Sequence, residues 1–261
     1  MPRAWPPAAA AAVIDAVTTG IAATTGSALV GLYLCGSLAT GDFDERMSDI
    51  DLLVVLSTEM SPDLAADLER MHREFADANP IWRSRIEVIY VSVMDLASLR
   101  ERPTRVHVVS AGEPFEVLSA GSEWIITWYP ARHGGIALIG PPVTEVVPDT
   151  PFEEYAAAVR SYMHRFSERI TDDATPGAQA YAVLTMCRGL YTCVHGKPVS
   201  KLKAAAWAQR AFPEWAGLIR RAISWREHQW EVPQANGGAT VSTVRRFVTE
   251  IGDRAINLRR S

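Results

Sequence analysis

GLYLCGSLATGDFDERMSDIDLLVVL, residues 31–56, is the stretch on which the reading of the whole chain turns. It opens as a short apolar strand, breaks at Gly36-Ser37, crosses a polar loop and re-enters an apolar strand at Asp49. Side chains alternate faces along a strand, so Asp49 and Asp51 point one way and Ile50 the other. Leu52, Leu53, Val54, Val55 and Leu56 continue as a buried strand. Two carboxylates side by side in such a strand repel one another and are costly to desolvate. A bound divalent cation removes both objections, and magnesium usually takes one or two carboxylates together with substrate phosphates. Gly36 lets the backbone approach a triphosphate, to which the Ser37 hydroxyl and nearby amides can donate. Neither Gly-Ser nor Asp-x-Asp is specific alone. In this order, each at a strand end with a short polar loop between them, they point to a metal-assisted phosphate site. The plainer alternative is a hairpin whose aspartates only cap a strand.

Working outward, Arg85-Ile86-Glu87-Val88-Ile89-Tyr90-Val91 reads as a third strand with one charge near its centre. Alone, Glu87 fits an edge strand facing water. Beside a strand carrying Asp49 and Asp51 it is the natural third carboxylate, because perturbed acids cluster at active sites. Three carboxylates holding two metals can clamp the attacking and leaving oxygens of an in-line displacement. Between these strands, Ser61-Pro62-Asp63 starts a helix: a capping serine, proline at the first helical position, an acidic first turn. Leu64, Leu68, Met71 and Phe75 form its apolar stripe, His72 is expected at the surface or core edge, and Asn79-Pro80 ends it. A helix from Pro6 to about Thr24 and a strand from Ala28 to Cys35 precede the motif.

Residues 95–123 are the least legible, with 106–109 and 115–118 open between short strands and loop. Trp124 and Trp128, one helical turn apart, read as a core pair. The Pro-rich segment from Gly140 to Pro151 reads as a domain boundary. Beyond it strand patterns vanish. Helices are expected over 151–170, 178–195, 200–211, 213–230 and 242–258, with Val183, Cys187, Leu190 and Val194 as one buried stripe closed by Gly196. The expected fold class is therefore α+β: an α/β domain over 1–150 and an all-α bundle over 151–261.

Composition narrows the function classes. A net charge of −4 and a pI near 5.9 argue against a broad nucleic-acid face, hence against a template polymerase or a tRNA-tailing enzyme. Cys35, Cys187 and Cys193 have no metal-ligand spacing and read as buried reduced thiols of a cytoplasmic protein. The Ala-rich N-terminal run is broken by Asp15 and reads as a helix, and no stretch is long and apolar enough to span a membrane.

Gly36-Ser37 with Ser48-Asp49-Ile50-Asp51 resembles the signature of the nucleotidyltransferase superfamily with the polymerase-beta-like fold, and most of all the aminoglycoside adenylyltransferases of the streptomycin/spectinomycin type. AYAVLTMCRGLYTCVHGKPVSKLKAAAWA, residues 180–208, resembles that family's C-terminal helical signature. The resemblance implies a mixed sheet in the first domain and AMP transfer from ATP to a hydroxyl of a cationic antibiotic, with pyrophosphate released and resistance conferred. It implies Asp49 and Asp51 as magnesium ligands, and Glu87 as general base or further metal ligand. Gly36, Ser37 and Ser48 would contact phosphate, Arg188 and Lys201 would neutralise it, and Trp225 would stack near adenine. Members that accept streptomycin carry a tryptophan and an aspartate between the first two bundle helices. The corresponding HRFSERITDDATPGAQ, residues 164–179, has no tryptophan and offers Asp172 and Asp173. A monomer with a small-molecule antibiotic as its partner is expected. Two rivals stay open: an enzyme modifying a protein or tRNA end, and a catalytically silent nucleotide-binding module.

Overall fold

The apolar run after Asp49 forms the interior of a six-stranded sheet. The computed structural model describes residues 8–46, 48–110, 115–227 and 238–258. The strands are β1 (Leu29–Leu34), β2 (Ile50–Leu56), β3 (Ile86–Ser92), β4 (Thr104–Val109), β5 (Phe115–Ala120) and β6 (Ile136–Ile139), in the order β5-β4-β3-β2-β1-β6. Only β2 and β3 are parallel; every other neighbouring pair is antiparallel, so the sheet is mixed. A parallel pair needs a crossover, and helix α3 (Pro62–Ala78) supplies it, as the capping pattern before it predicts. Ser61 Oγ accepts from the Leu64 amide at 3.2 Å. Helices α1 (Ala8–Thr25), α2 (Gly36–Thr40), α4 (Val93–Ser98), α5 (Ile125–Gly134) and α6 (Val143–Val146) complete this unit, which ends at Thr150.

The sheet is buried on both faces because β2 is apolar on both. Ile50, Leu52, Val54 and Leu56 pack with α1 and with Leu68 of α3. Leu53 and Val55 pack with Tyr33, Leu96, Trp128 and Ala131 on the opposite face. Each such side chain removed from water contributes roughly 1.5–3 kcal/mol. Trp124 and Trp128 stack 5.6 Å apart, and Trp128 is buried. The illegible stretch holds the β4–β5 hairpin, paired from Thr104↔Ala120 to Val109↔Phe115. Its outer strand exposes four consecutive residues, Glu116 to Ser119, so no alternation marks it in the sequence.

His72 departs from expectation. It is buried rather than at the core edge, 2.7 Å from the Tyr90 hydroxyl and edge-on to that ring. Burial lowers its pKa to about 4.

The second unit, Pro151–Ser261, is all helical among its described residues. It comprises α7 (Phe152–Arg165), α8 (Pro176–His195), α9 (Lys201–Ala211), α10 (Ala216–Glu227) and α11 (Gly238–Ile256). Short 3₁₀ turns follow α7 and precede α10, which accounts for the longer helices expected over 151–170 and from 213; residues 228–230 lie outside the described set. Thr175 caps α8, Pro176 occupies its first turn, and Gly196 closes it in the left-handed region at φ 69°. Helix α8 packs against all four others. Six consecutive residues, Ala182 to Cys187, are buried, so its middle is enclosed on every side rather than along one stripe. Val194 leaves the expected stripe: in the last turn it is 45% exposed. Gly189 permits the crossing with α7, since a Cβ there would overlap the Met163 thioether. Of the cysteines, Cys187 is buried while Cys35 and Cys193 are half-buried, and all are free thiols. No described helix is long and apolar enough to cross a membrane.

Candidate active site

The two strands that carry the acids are register neighbours. In the parallel β2–β3 ladder Asp51 lies opposite Glu87, so the two carboxylates stand side by side on the face shared with Leu53 and Val55. Both are half-buried. Asp49 lies just before β2, where the amide of the next residue, Ile50, donates to the Arg85 carbonyl at 2.8 Å. Among the described residues no group of three or more acidic, His or Cys side chains is gathered closely enough to hold a metal. The structure thus pairs Asp51 with Glu87 across the ladder, with Asp49 two residues before Asp51 at the head of β2.

Gly36-Ser37 is not the start of a polar loop, as the sequence suggests. It opens the short helix α2, and the residue before it is pinned where Cys35 N–H donates to the Asp51 carbonyl at 2.8 Å. Gly36 sits at φ 61°, and a Cβ on it would overlap the Asp51 carboxylate. Both facts demand glycine, and both bring bare backbone against an acid of the motif. That cradle fits a phosphate and its cation better than a side chain. Ser37 is half-buried on the same turn. Burial, and secondarily the nearby Asp51 charge, push the Cys35 thiol up to about 12, so it stays protonated and inert.

Ser48 is buried and engaged within its own loop. Its hydroxyl accepts from the Asp44 amide at 3.0 Å while its amide donates to the Asp44 carbonyl at 2.8 Å. The loop also rests on Arg85, a residue that the sequence motif does not single out. Its guanidinium reaches the Ser48 carbonyl at 2.5 and 3.2 Å and the Glu45 carbonyl at 2.8 Å, and lies 4.2 Å from the Trp82 ring centre. The available signal is a cation at the head of a strand that carries an acid two residues on.

In the helical unit, Arg188 is exposed on α8. Tyr181, two turns earlier, shares that exposed face, and the Lys201 ammonium lies 4.4 Å from the Tyr181 ring centre. The structure therefore brings Arg188, Tyr181 and Lys201 to one side of α8. It also distinguishes Lys201 from Lys197 and Lys203, which are more exposed. Trp225 is half-buried on α10, with the Arg221 guanidinium 6.0 Å from its ring centre. Asp172 is paired with Arg245 at 2.6 Å. Asp173 is exposed, and hydrogen bonding from Thr171 and its own backbone holds its carboxyl below the usual range.

Residues 24–91 match the nucleotidyltransferase domain family, the region that holds Gly36, Asp49, Asp51 and Glu87. The chain is a nucleotidyltransferase. Residues 145–250 match the aminoglycoside adenylyltransferase C-terminal domain, and the chain belongs to that family of adenylyltransferases. A spectinomycin 9-adenylyltransferase of Campylobacter jejuni is 26% identical over 237 residues, covering 85% of this chain and 89% of the relative. The crystal structure of a spectinomycin adenyltransferase from Enterococcus faecialis, with ATP and spectinomycin, has the same fold, with a TM-score of 0.73. It is 19% identical and covers 93% of this chain and 99% of its own.

Proposed function

We propose that this protein transfers AMP from ATP to a hydroxyl of spectinomycin, as a cytoplasmic monomer, and so confers resistance. The observation that carries this is the Asp51–Glu87 pair facing the Gly36 turn, in a chain similar along most of its length to a spectinomycin 9-adenylyltransferase. Spectinomycin is preferred to streptomycin because residues 164–179 lack the tryptophan that streptomycin-accepting members carry. The substrate oxygen forms a bond to the α-phosphorus, the α–β anhydride bond breaks, and pyrophosphate leaves with its electron pair. The hydroxyl proton passes to Glu87.

Asp49 and Asp51 would hold magnesium, which, when bound, withdraws charge from the phosphate oxygens. Glu87 is the base for the substrate hydroxyl, set beside Asp51 by the strand register. Gly36 and Ser37 contact phosphate through the turn, while Ser48 shapes the loop. Arg188 and Lys201 contribute charge-assisted bonds to the phosphates, Trp225 stacks on adenine, and Asp173 with Asp172 attracts the cationic drug.

The test is pyrophosphate release with ATP and magnesium against spectinomycin, streptomycin, other aminoglycosides, bulk tRNA and a protein mixture. Release that requires spectinomycin is expected. Release with tRNA or protein alone, or with none of these acceptors, would overturn the assignment.

A further inference from the structure

We infer that Arg85 is a positioning residue that sets where Asp49 stands relative to Glu87. The inference rests on Asp49 and Glu87 serving the nucleotide site. Arg85 holds the peptide groups on both sides of Asp49. Its side chain donates to the carbonyl of Ser48, the residue before, and its carbonyl accepts from the amide of Ile50, the residue after. Asp49 cannot shift along the chain without breaking one of these bonds. Arg85 is also the residue immediately before β3, two positions ahead of Glu87. One residue therefore ties the Asp49 backbone to the strand that carries the proposed base.

The side chain is built for this task. It is 6% exposed, so its guanidinium is held by protein rather than by water. Nε and Nη2 both donate to the Ser48 carbonyl while Nη2 also donates to the Glu45 carbonyl, and only a planar guanidinium fork aims two parallel donors at the first of these. The guanidinium lies over the Trp82 ring, the Arg85 amide donates to the Trp82 carbonyl at 3.0 Å, and Phe43 at the loop's start stacks on Trp82. Phe43, Glu45 and Ser48 are thus all anchored on a Trp82–Arg85 core. Asp49 and Asp44 are the acids whose charges act on Arg85. Two nearby acids and two carbonyls compensate the buried cation, so it is not an isolated charge.

A lysine in this place keeps the charge and loses the fork. Arg85→Lys should retain the folded state yet let the Asp49 peptide move by a few tenths of an ångström, enough to weaken a metal site and misplace a base. The experiment compares wild type, Arg85→Lys and Arg85→Gln by three readouts. Mn2+ binding in the presence of a non-hydrolysable ATP analogue is measured by electron paramagnetic resonance. Steady-state kcat is separated from the KM for spectinomycin, and melting is followed by circular dichroism. The expected result is Mn2+ binding weakened about tenfold and kcat lowered about 10- to 100-fold in Arg85→Lys, at nearly unchanged spectinomycin KM. Wild-type Mn2+ affinity in both variants, with melting alone affected, would overturn the inference, and so would an unfolded Arg85→Lys. The metal readout needs no acceptor. A wild-type protein that binds Mn2+ with nucleotide but adenylylates no aminoglycoside would sink the substrate assignment and leave the Arg85 result standing.

Discussion

The sheet unit and the helical unit place their charged groups by different means. In the sheet unit Asp51 and Glu87 are fixed by backbone register, because the β2–β3 ladder aligns every residue from Ile50↔Ile86 to Leu56↔Ser92. A one-residue slip of either strand would turn its acid to the other face. In the helical unit Arg188 and Lys201 stand on long flexible stems on α8 and α9. Their positions depend on side-chain torsions, with the Tyr181 ring lying against Lys201. The contrast points to a division of labour. Groups that must meet reacting atoms within fractions of an ångström are built on strands, and groups that supply charge are carried on helix surfaces.

If that division holds, the largest losses follow from the strand acids. Asp49→Asn or Asp51→Asn removes a charge but no volume, and relieves repulsion rather than adding it, so folding should survive. Pyrophosphate release should fall to background. Near-normal turnover in either variant would break the comparison, because the motif would then be only a strand cap. Glu87→Gln comes next, with kcat lowered by roughly two to four orders of magnitude if Glu87 is the base. Calorimetry with ATP and magnesium sharpens this: unchanged nucleotide binding supports the base, and a joint loss of metal and nucleotide affinity supports a ligand.

The sheet unit should also carry a pH dependence of its own. His72 is held at about 4 against an ordinary 6.5, so between those values the unfolded chain binds more protons than the folded one. Stability present above pH 6.5 is therefore lost as pH falls through 6.5 toward 4. Each tenfold change in proton affinity is worth roughly 1.4 kcal/mol, so the full effect is about 3 kcal/mol. Urea unfolding at pH 7 and pH 5 should show a drop that His72→Phe reduces. An equal drop in both proteins would place the pH sensitivity elsewhere.

How much of this is legible in the sequence follows the same contrast. The motif strand, the α3 start and the third acid can be read because burial patterning and capping chemistry are local signals. The β4–β5 hairpin cannot, since β5 is an edge strand exposed on four consecutive residues. Gly36 reads as a loop break, because the close approach that shapes its turn comes from the Asp51 carboxylate on another strand. His72 is misplaced by its own helix pattern because its partner, Tyr90, lies eighteen residues away on a strand. Arg85 escapes notice for a similar reason: its value lies in two carbonyls far along the chain. Val194 fails because periodicity gives a helix's face but not how far burial runs along it.

On the helical side the expected effects are smaller. Arg188→Ala should weaken ATP binding by the worth of a charge-assisted hydrogen bond, about 1.5–3 kcal/mol, or roughly 10- to 150-fold in Kd. Arg188→Lys should recover part of this, since a surface cation on a flexible stem needs charge more than fixed geometry. If the lysine variant were as defective as the alanine one, Arg188 would have to act as a planar fork, and the proposed difference between strand and helix groups would narrow.

The smallest effect concerns Asp172, which separates a structural contact from a substrate contact. It is paired with Arg245, whose guanidinium also donates to the Ile170 carbonyl at 2.6 and 3.1 Å. Those carbonyl bonds dock α11 to the segment before α8 whether or not the carboxylate is present. The Asp172 side chain is 92% exposed, so its ion pair is screened by water and salt and should add little to stability. Asp172→Asn should therefore leave the melting temperature within about two degrees of wild type. If Asp172 also attracts a cationic drug, the same change should raise the spectinomycin KM several-fold at low salt and hardly at all at high salt, with kcat unchanged. A KM that does not move at either ionic strength would confine Asp172 to its ion pair. Asp173, exposed beside it and held by hydrogen bonds from Thr171 and its own backbone, would then be the carboxylate to test by the same salt series.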